Sequence, residues 1–82
     1  MKIHITQQHL NRGRPSSPRN CPIGLALQEA FPQFETISVY PLKWYGILKG
    51  HVSEHVLSRS ARRFIKKFDY RKPVKPFTFI TK

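Results

Sequence analysis

Eight basic residues fall between positions 59 and 75 of this chain. They are Arg59, Arg62, Arg63, Lys66, Lys67, Arg71, Lys72 and Lys75, opposed only by Asp69. Guanidinium and ammonium groups at this density bind anions and displace the counterions condensed on a polyanion. Arg59 with Arg63 and Arg62 with Lys66 are spaced i, i+4, so on a helix each like-charged pair costs about 0.2–0.5 kcal/mol. A chain that gathers such costs on one side is matched to nucleic-acid phosphates or to an acidic protein surface, which gains association rate from the same field. The alternative is a solvated face that keeps a small domain soluble. The expected binding surface is therefore Arg59, Arg62, Arg63, Lys66 and Lys67, extended by Arg71 and Lys72.

A second basic site lies near the N-terminus. Arg12-Gly13-Arg14-Pro15 matches the four-residue core of the AT-hook, in which an extended Arg-Gly-Arg enters a narrow minor groove and glycine lets the backbone approach its floor. The flanks depart from that motif, with Asn11 where proline is usual and Ser16 where a basic residue is usual. An ordinary surface loop explains the same residues, and Arg12 and Arg14 extend the cationic surface in either case.

The remaining reactive side chains are sparse. Cys21 precedes a predicted helix, where a thiolate is favoured by the helix N-terminus, or it is a structural half-buried cysteine. No acid or amide stands at a spacing that would orient a histidine base for it. His51 and His55 are spaced i, i+4, which on one helix gives two zinc ligands, but Ser53 reads as the helix cap and leaves His51 outside. Glu29, Glu35, Glu54 and Asp69 are the only carboxylates, and the four glycines are scattered. Neither an acid–base pair nor a phosphate-cradling glycine loop is expected, so the chain reads as non-enzymatic, with no cofactor and no metal. Tyr40, Trp44, Tyr45, Phe77 and Phe79 could form a stacking platform for bases or the core under the helices.

The elements that position these residues follow from periodicity. Lys2 to Thr6 alternates with Ile3 and Ile5 on one face, which predicts a strand. Gln7 to Asn11 has room for one helical turn, and 12–20 holds two prolines, one glycine and two serines, an exposed loop. Asn20 or Cys21 caps a helix with Pro22 in its first turn and Ile23, Ala26, Leu27, Ala30 and Phe31 on one stripe; Pro32 stops it. Thr36 to Tyr40 and Trp44 to Lys49 read as hairpin arms around a turn at 41–43. Gly50 to Ser53 leads into a helix expected over Glu54 to Phe68, with Glu54 placed against the helix dipole. On it Leu57, Ala61, Phe64, Ile65 and Phe68 share one sector and the cations face the other way. Phe77 to Thr81 is a last strand. The order β–α–β–β–α–β predicts a small α+β domain, an antiparallel or mixed sheet covered by two helices.

With those elements in place, the chain resembles a family of short bacteriophage and prophage proteins. These pair an Ile-x-Ile-Thr segment with a Cys-Pro-Ile-x-Leu-Ala-Leu helix, a Phe-Ile-x-x-Phe-Asp helix and a Pro-Phe-x-Phe strand. The matching pieces are Ile3 to His9, Cys21 to Leu27, Phe64 to Asp69 and Pro76 to Phe79. Most of them are core or capping positions, so the resemblance implies a fold. Phage origin also implies a class of role, the small accessory protein that engages a host factor or a defence complex, including anti-CRISPR-like inhibitors.

Size and charge bound the rest. The 82 residues carry 15 Lys+Arg against 4 Asp+Glu, a net charge of +11. That length is one domain, 1–82, and excludes barrels and doubly wound sheets. Aromatic residues at 12 % argue against a disordered basic tail. One cysteine points to a reducing compartment, and the N-terminus lacks the apolar stretch of a secretory signal, so a cytoplasmic location is expected. The expected function is a basic binding module on nucleic-acid phosphates. The alternative is a phage accessory protein on an acidic surface of a host protein. Neither involves a membrane or a small-molecule substrate.

Overall fold

Strand β1 (Lys2–Ile5) turns Ile3 and Ile5 inward and leaves Lys2 and His4 in water, as its alternation requires. The structure, a computed structural model, describes residues 1–81. Thr6 ends the strand and caps α1 (Gln7–Arg12): its Oγ1 accepts the His9 N–H at 3.4 Å, while His9 Nδ1 accepts the Thr6 N–H at 2.9 Å. Histidine here fills the capping-box position usually held by Glu or Gln. Since Nδ1 is the acceptor, Nε2 carries the proton and donates to Glu29 Oε1 at 2.9 Å, a hydrogen bond of a neutral imidazole rather than an ion pair. His9 is thereby buried with both nitrogens satisfied.

Helix α2 (Pro22–Ala30) begins at Cys21, whose Sγ accepts the Gly24 N–H at 3.3 Å, with Pro22 in the first turn where its missing N–H costs nothing. Ile23, Ala26 and Leu27 are buried, and the helix packs on β1 and on β2 (Thr36–Val39). β2, β3 (Lys43–Leu48) and β4 (His51–Val56) form an antiparallel meander in that order. β5 (Phe77–Ile80) pairs antiparallel with β1, with Ile3 opposite Phe79. Between the two sheets Trp44 is buried, stacked on Phe31 at 5.7 Å and on His55 at 4.0 Å. Its Nε1–H donates to Thr81 Oγ1 at 3.4 Å. The architecture is α+β, with all strands antiparallel.

Two features differ from the sequence expectation. Among the described residues there are two small sheets and three helices rather than one sheet under two. The helix expected from Glu54 begins instead at Arg59, with Ser58 and not Ser53 as its cap, because 51–56 is strand β4. Lys49 and Gly50 both have positive φ, 51° and 77°, which is the geometry of a two-residue hairpin turn that reverses the chain onto β3. Glu54 consequently pairs with Lys43 across the ladder at 3.3 Å and plays no part at a helix end. The strand was hard to read because its half-covered face carries Ser53 and His55, polar residues whose partners are supplied by Trp44 and by each other.

Candidate nucleic-acid interface

Helix α3 (Arg59–Asp69) starts at Ser58, whose Oγ accepts the Ala61 N–H at 3.3 Å. Ala61, Phe64 and Ile65 are buried, and Phe64 packs on Phe77 at 4.9 Å. Burying Phe64 and Ile65 stabilises by about 1.5–3 kcal/mol each. That exceeds the repulsion among Arg59, Arg62, Arg63, Lys66 and Lys67, about 0.2–0.5 kcal/mol per neighbouring pair. The apolar face therefore holds the helix, and the cations are carried by it. All five are exposed.

The C-terminal end is a Schellman motif. The Lys72 N–H donates to the Lys67 carbonyl and the Arg71 N–H to the Phe68 carbonyl, both at 2.9 Å. Arg71 takes the left-handed position at φ 58°, where glycine is usual. Arg71 and Lys72 are exposed just past the helix.

Asp69 is the hinge of the site. Its Oδ1 accepts the Ser16 N–H at 2.8 Å, tying the 13–20 segment to the end of α3. Pro18 fastens the same segment to β2, its carbonyl accepting the Val39 N–H at 2.7 Å. Beyond Arg12, which ends α1, the segment expected as an exposed loop over 12–20 is largely exposed and is pinned at two points. Between it, the Pro41–Leu42 turn and α3 lies a groove of about 790 Å³. Arg59, Arg62, Arg63 and Lys66 line it, together with the exposed Leu42 and Tyr70. A smaller hollow of about 350 Å³ on the other flank of α3 is lined by Arg63, Lys67 and Lys75 beside Pro73 and Phe77.

The structure thus gathers Arg59, Arg62, Arg63, Lys66 and Lys67 on one helix flanked by two hollows. Arg12, Arg14, Arg71 and Lys72 are exposed but line neither hollow. Arg12 ends α1 in helical conformation, so Arg12-Gly13-Arg14 is not the extended strand an AT-hook needs. Gly13 has a packing reason instead: a Cβ there would lie 2.4 Å from Pro22 Cγ. Leu42 and Tyr70 were missed by sequence reasoning, and so was Lys75 as a site residue. An apolar residue after Pro41 and a tyrosine after the helix carry no periodic signal.

Glu29, Glu35 and Glu54 are engaged away from the cations of α3, and Asp69, at the end of α3, holds the Ser16 N–H. Glu29 accepts from His9, Glu35 from the Lys49 N–H and Glu54 from Lys43. Among the described residues, no Arg or Lys of α3 has an acidic partner. Five exposed cations thus stand on α3 against one carboxylate of the same helix, Asp69, and the net field there is strongly positive.

The other candidates are structural. Cys21 is buried, its Sγ spent on the cap; burial pushes the thiol up from its ordinary value of 9.0, against the smaller pull of the Gly24 N–H. His51 and His55 lie on a strand, about 13 Å apart along it, and not on one helix turn. Among the described residues no three metal-ligating side chains converge, and no helix is long and apolar enough to cross a membrane. Trp44 and Phe79 are buried in the core, Phe77 is half-buried, and Tyr40 and Tyr45 form an edge-to-face pair at 5.8 Å with Tyr40 exposed. No family model, curated protein or solved structure matches this chain.

Proposed function

We propose that this protein is a non-enzymatic binding module that engages the phosphates of nucleic acid through α3. The observation that carries the reading is the excess of exposed cations on one helix: Arg59, Arg62, Arg63, Lys66 and Lys67 are exposed together, none ion-paired among the described residues, with Asp69 the one carboxylate beside them. Exposed cations with no internal partner find a partner in a polyanion, and the free energy comes chiefly from released counterions. The contacts are to phosphates and position the protein without reading sequence. Arg71 and Lys72 extend the track beyond the helix, and Arg12 and Arg14 add to the field around it.

The test is a fluorescence titration against DNA and RNA at low and near-physiological salt, with a variant in which Arg62, Arg63, Lys66 and Lys67 are all changed to Glu. Binding that survives near-physiological salt in the parent and disappears in the variant, with an unchanged circular-dichroism spectrum, supports the reading. Equal affinity in the two proteins refutes it.

A second reading has one observation in its favour, the exposed Leu42 and Tyr70 beside the arginines. Tyrosine and arginine around an apolar spot are what anchors a protein interface. On that reading the protein is a phage accessory factor, working in a host cytoplasm, that occupies an acidic surface of a host protein or defence complex. One or two substitutions would then dominate affinity, whereas phosphate binding spreads the loss over many cations.

A further inference from the structure

We propose that the groove between α3 and the Pro41–Leu42 turn takes a single, unpaired strand of nucleic acid, its phosphates along Arg59, Arg62, Arg63 and Lys66 and a base against Tyr70 and Leu42. The inference rests on the nucleic-acid reading above and adds to it the form of the ligand. Charge and apolar surface occur together in this groove. Along the helix axis Arg59, Arg62, Arg63 and Lys66 follow one another at steps of about 4.5, 1.5 and 4.5 Å, about 10.5 Å in all, short enough that a few nucleotides span them. Leu42 and Tyr70 are 60 % and 70 % exposed at the same groove, surface left wet unless a ligand covers it.

A duplex answers only half of that surface. Its bases are stacked inside and its outer ridges are phosphate and sugar, so docking would neutralise the arginines and leave Leu42 and Tyr70 uncovered. Nor does α3 stand proud in the way a helix must to enter a major groove about 12 Å wide. The turn at Leu42 and the segment at Ser16 wall one flank, and the connector at Pro73 walls the other. An unpaired strand is flexible enough to lie in a concave track and presents both a charge on each repeat unit and a flat apolar face on each base. Asp69 also borders the groove, at the end of α3, where its Oδ1 accepts the Ser16 N–H; this carboxylate interrupts the cationic track between Lys66 and Arg71. An acidic peptide offers comparable charge only where Asp and Glu run together, and its flat apolar groups do not recur on each unit.

The experiment compares a fluorescein-labelled 12-nucleotide strand, the duplex of the same sequence and a Glu-rich 12-residue peptide containing one Phe, all at near-physiological salt. The full-length protein is used with three variants: Leu42→Ser/Tyr70→Ala, Tyr70→Phe, and Arg62→Glu/Lys66→Glu. The single strand is expected to bind about tenfold more tightly than the duplex. Leu42→Ser/Tyr70→Ala should lose about tenfold in affinity for the single strand and change duplex affinity less than twofold, since stacking is lost and charge is kept. Tyr70→Phe should retain the affinity, and Arg62→Glu/Lys66→Glu should weaken both nucleic acids. Leu42 and Tyr70 are exposed, so the fold is expected to survive both changes, checked by circular dichroism. A duplex bound as tightly as the strand, or an equal loss for both in the Leu42/Tyr70 variant, overturns this inference and leaves the nucleic-acid reading standing. No binding to either nucleic acid, or tighter binding to the peptide, overturns both.

Discussion

Replacing Gly13 by alanine separates two explanations of Arg12-Gly13-Arg14-Pro15. Gly13 follows α1 at φ −69° and ψ 150°, backbone angles that alanine adopts freely, so conformational strain is not at issue. Space is. The new Cβ would sit 2.4 Å from Pro22 Cγ and 2.5 Å from Cδ, where carbon atoms prefer about 3.5–4.0 Å. The Pro22 ring is fully buried, begins α2 and has no flexible end to swing aside. Overpacking of this kind costs about 1–3 kcal/mol. Removing glycine's freedom from the unfolded chain offsets about 0.4–1 kcal/mol of it. A net loss of about 1–2 kcal/mol should lower Tm by about 5–15 °C in a domain of this size. Thermal melts followed by circular dichroism measure it, with DNA titration of the same variant well below its melt. An unchanged Tm together with weaker binding to A·T-rich duplex would sink the packing account and restore a minor-groove role for this glycine.

Four further outcomes follow from the structure. Arg71→Gly should stabilise by about 1 kcal/mol, read from urea melts, because the left-handed C′ position costs a side chain that glycine lacks; a lower midpoint would contradict the Schellman assignment. Lys49→Asn should raise stability by about 0.5 kcal/mol, since Asn-Gly suits a turn with positive φ at both positions. Cys21 should resist alkylation in the native protein and react on unfolding. Its thiol is held up by burial, so the contribution is full below 9.0 and is lost as pH rises beyond it, where the unfolded chain ionises first; Cys21→Ser should flatten that alkaline limb. Arg62→Gln/Lys66→Gln should reduce the slope of log affinity against log salt for a single strand by about 1.4, and an unchanged slope would place the phosphate track elsewhere.

Much of this molecule is written in local patterns. The strand at Ile3 and Ile5, the cap of α2 by Cys21 with Pro22 behind it, and the burial of Ala61, Phe64 and Ile65 opposite a cationic face are all period-two, period-3.6 or capping signals. Such signals depend on residues a few positions apart, so the chain itself displays them. The charge of the site was legible for the same reason: five cations at helical spacing share a face wherever the helix lies.

Tertiary structure decided what those patterns could not carry. Whether 51–56 was strand or helix depended on Trp44, which covers His55 and makes a polar inward face acceptable in a sheet. How the exposed 13–20 segment is held depended on Asp69 and Val39, bonded to it across the fold. The groove exists because Leu42, from a turn, and Tyr70, from beyond a helix end, meet α3 at one place. Local periodicity sets what each element exposes, while the closing of distant segments sets which exposed groups become neighbours. The sequence alone therefore determined that the protein presents a cationic helix face, and only the packing determined that its cations go without ion pairs among the described residues and in which groove their charge is offered.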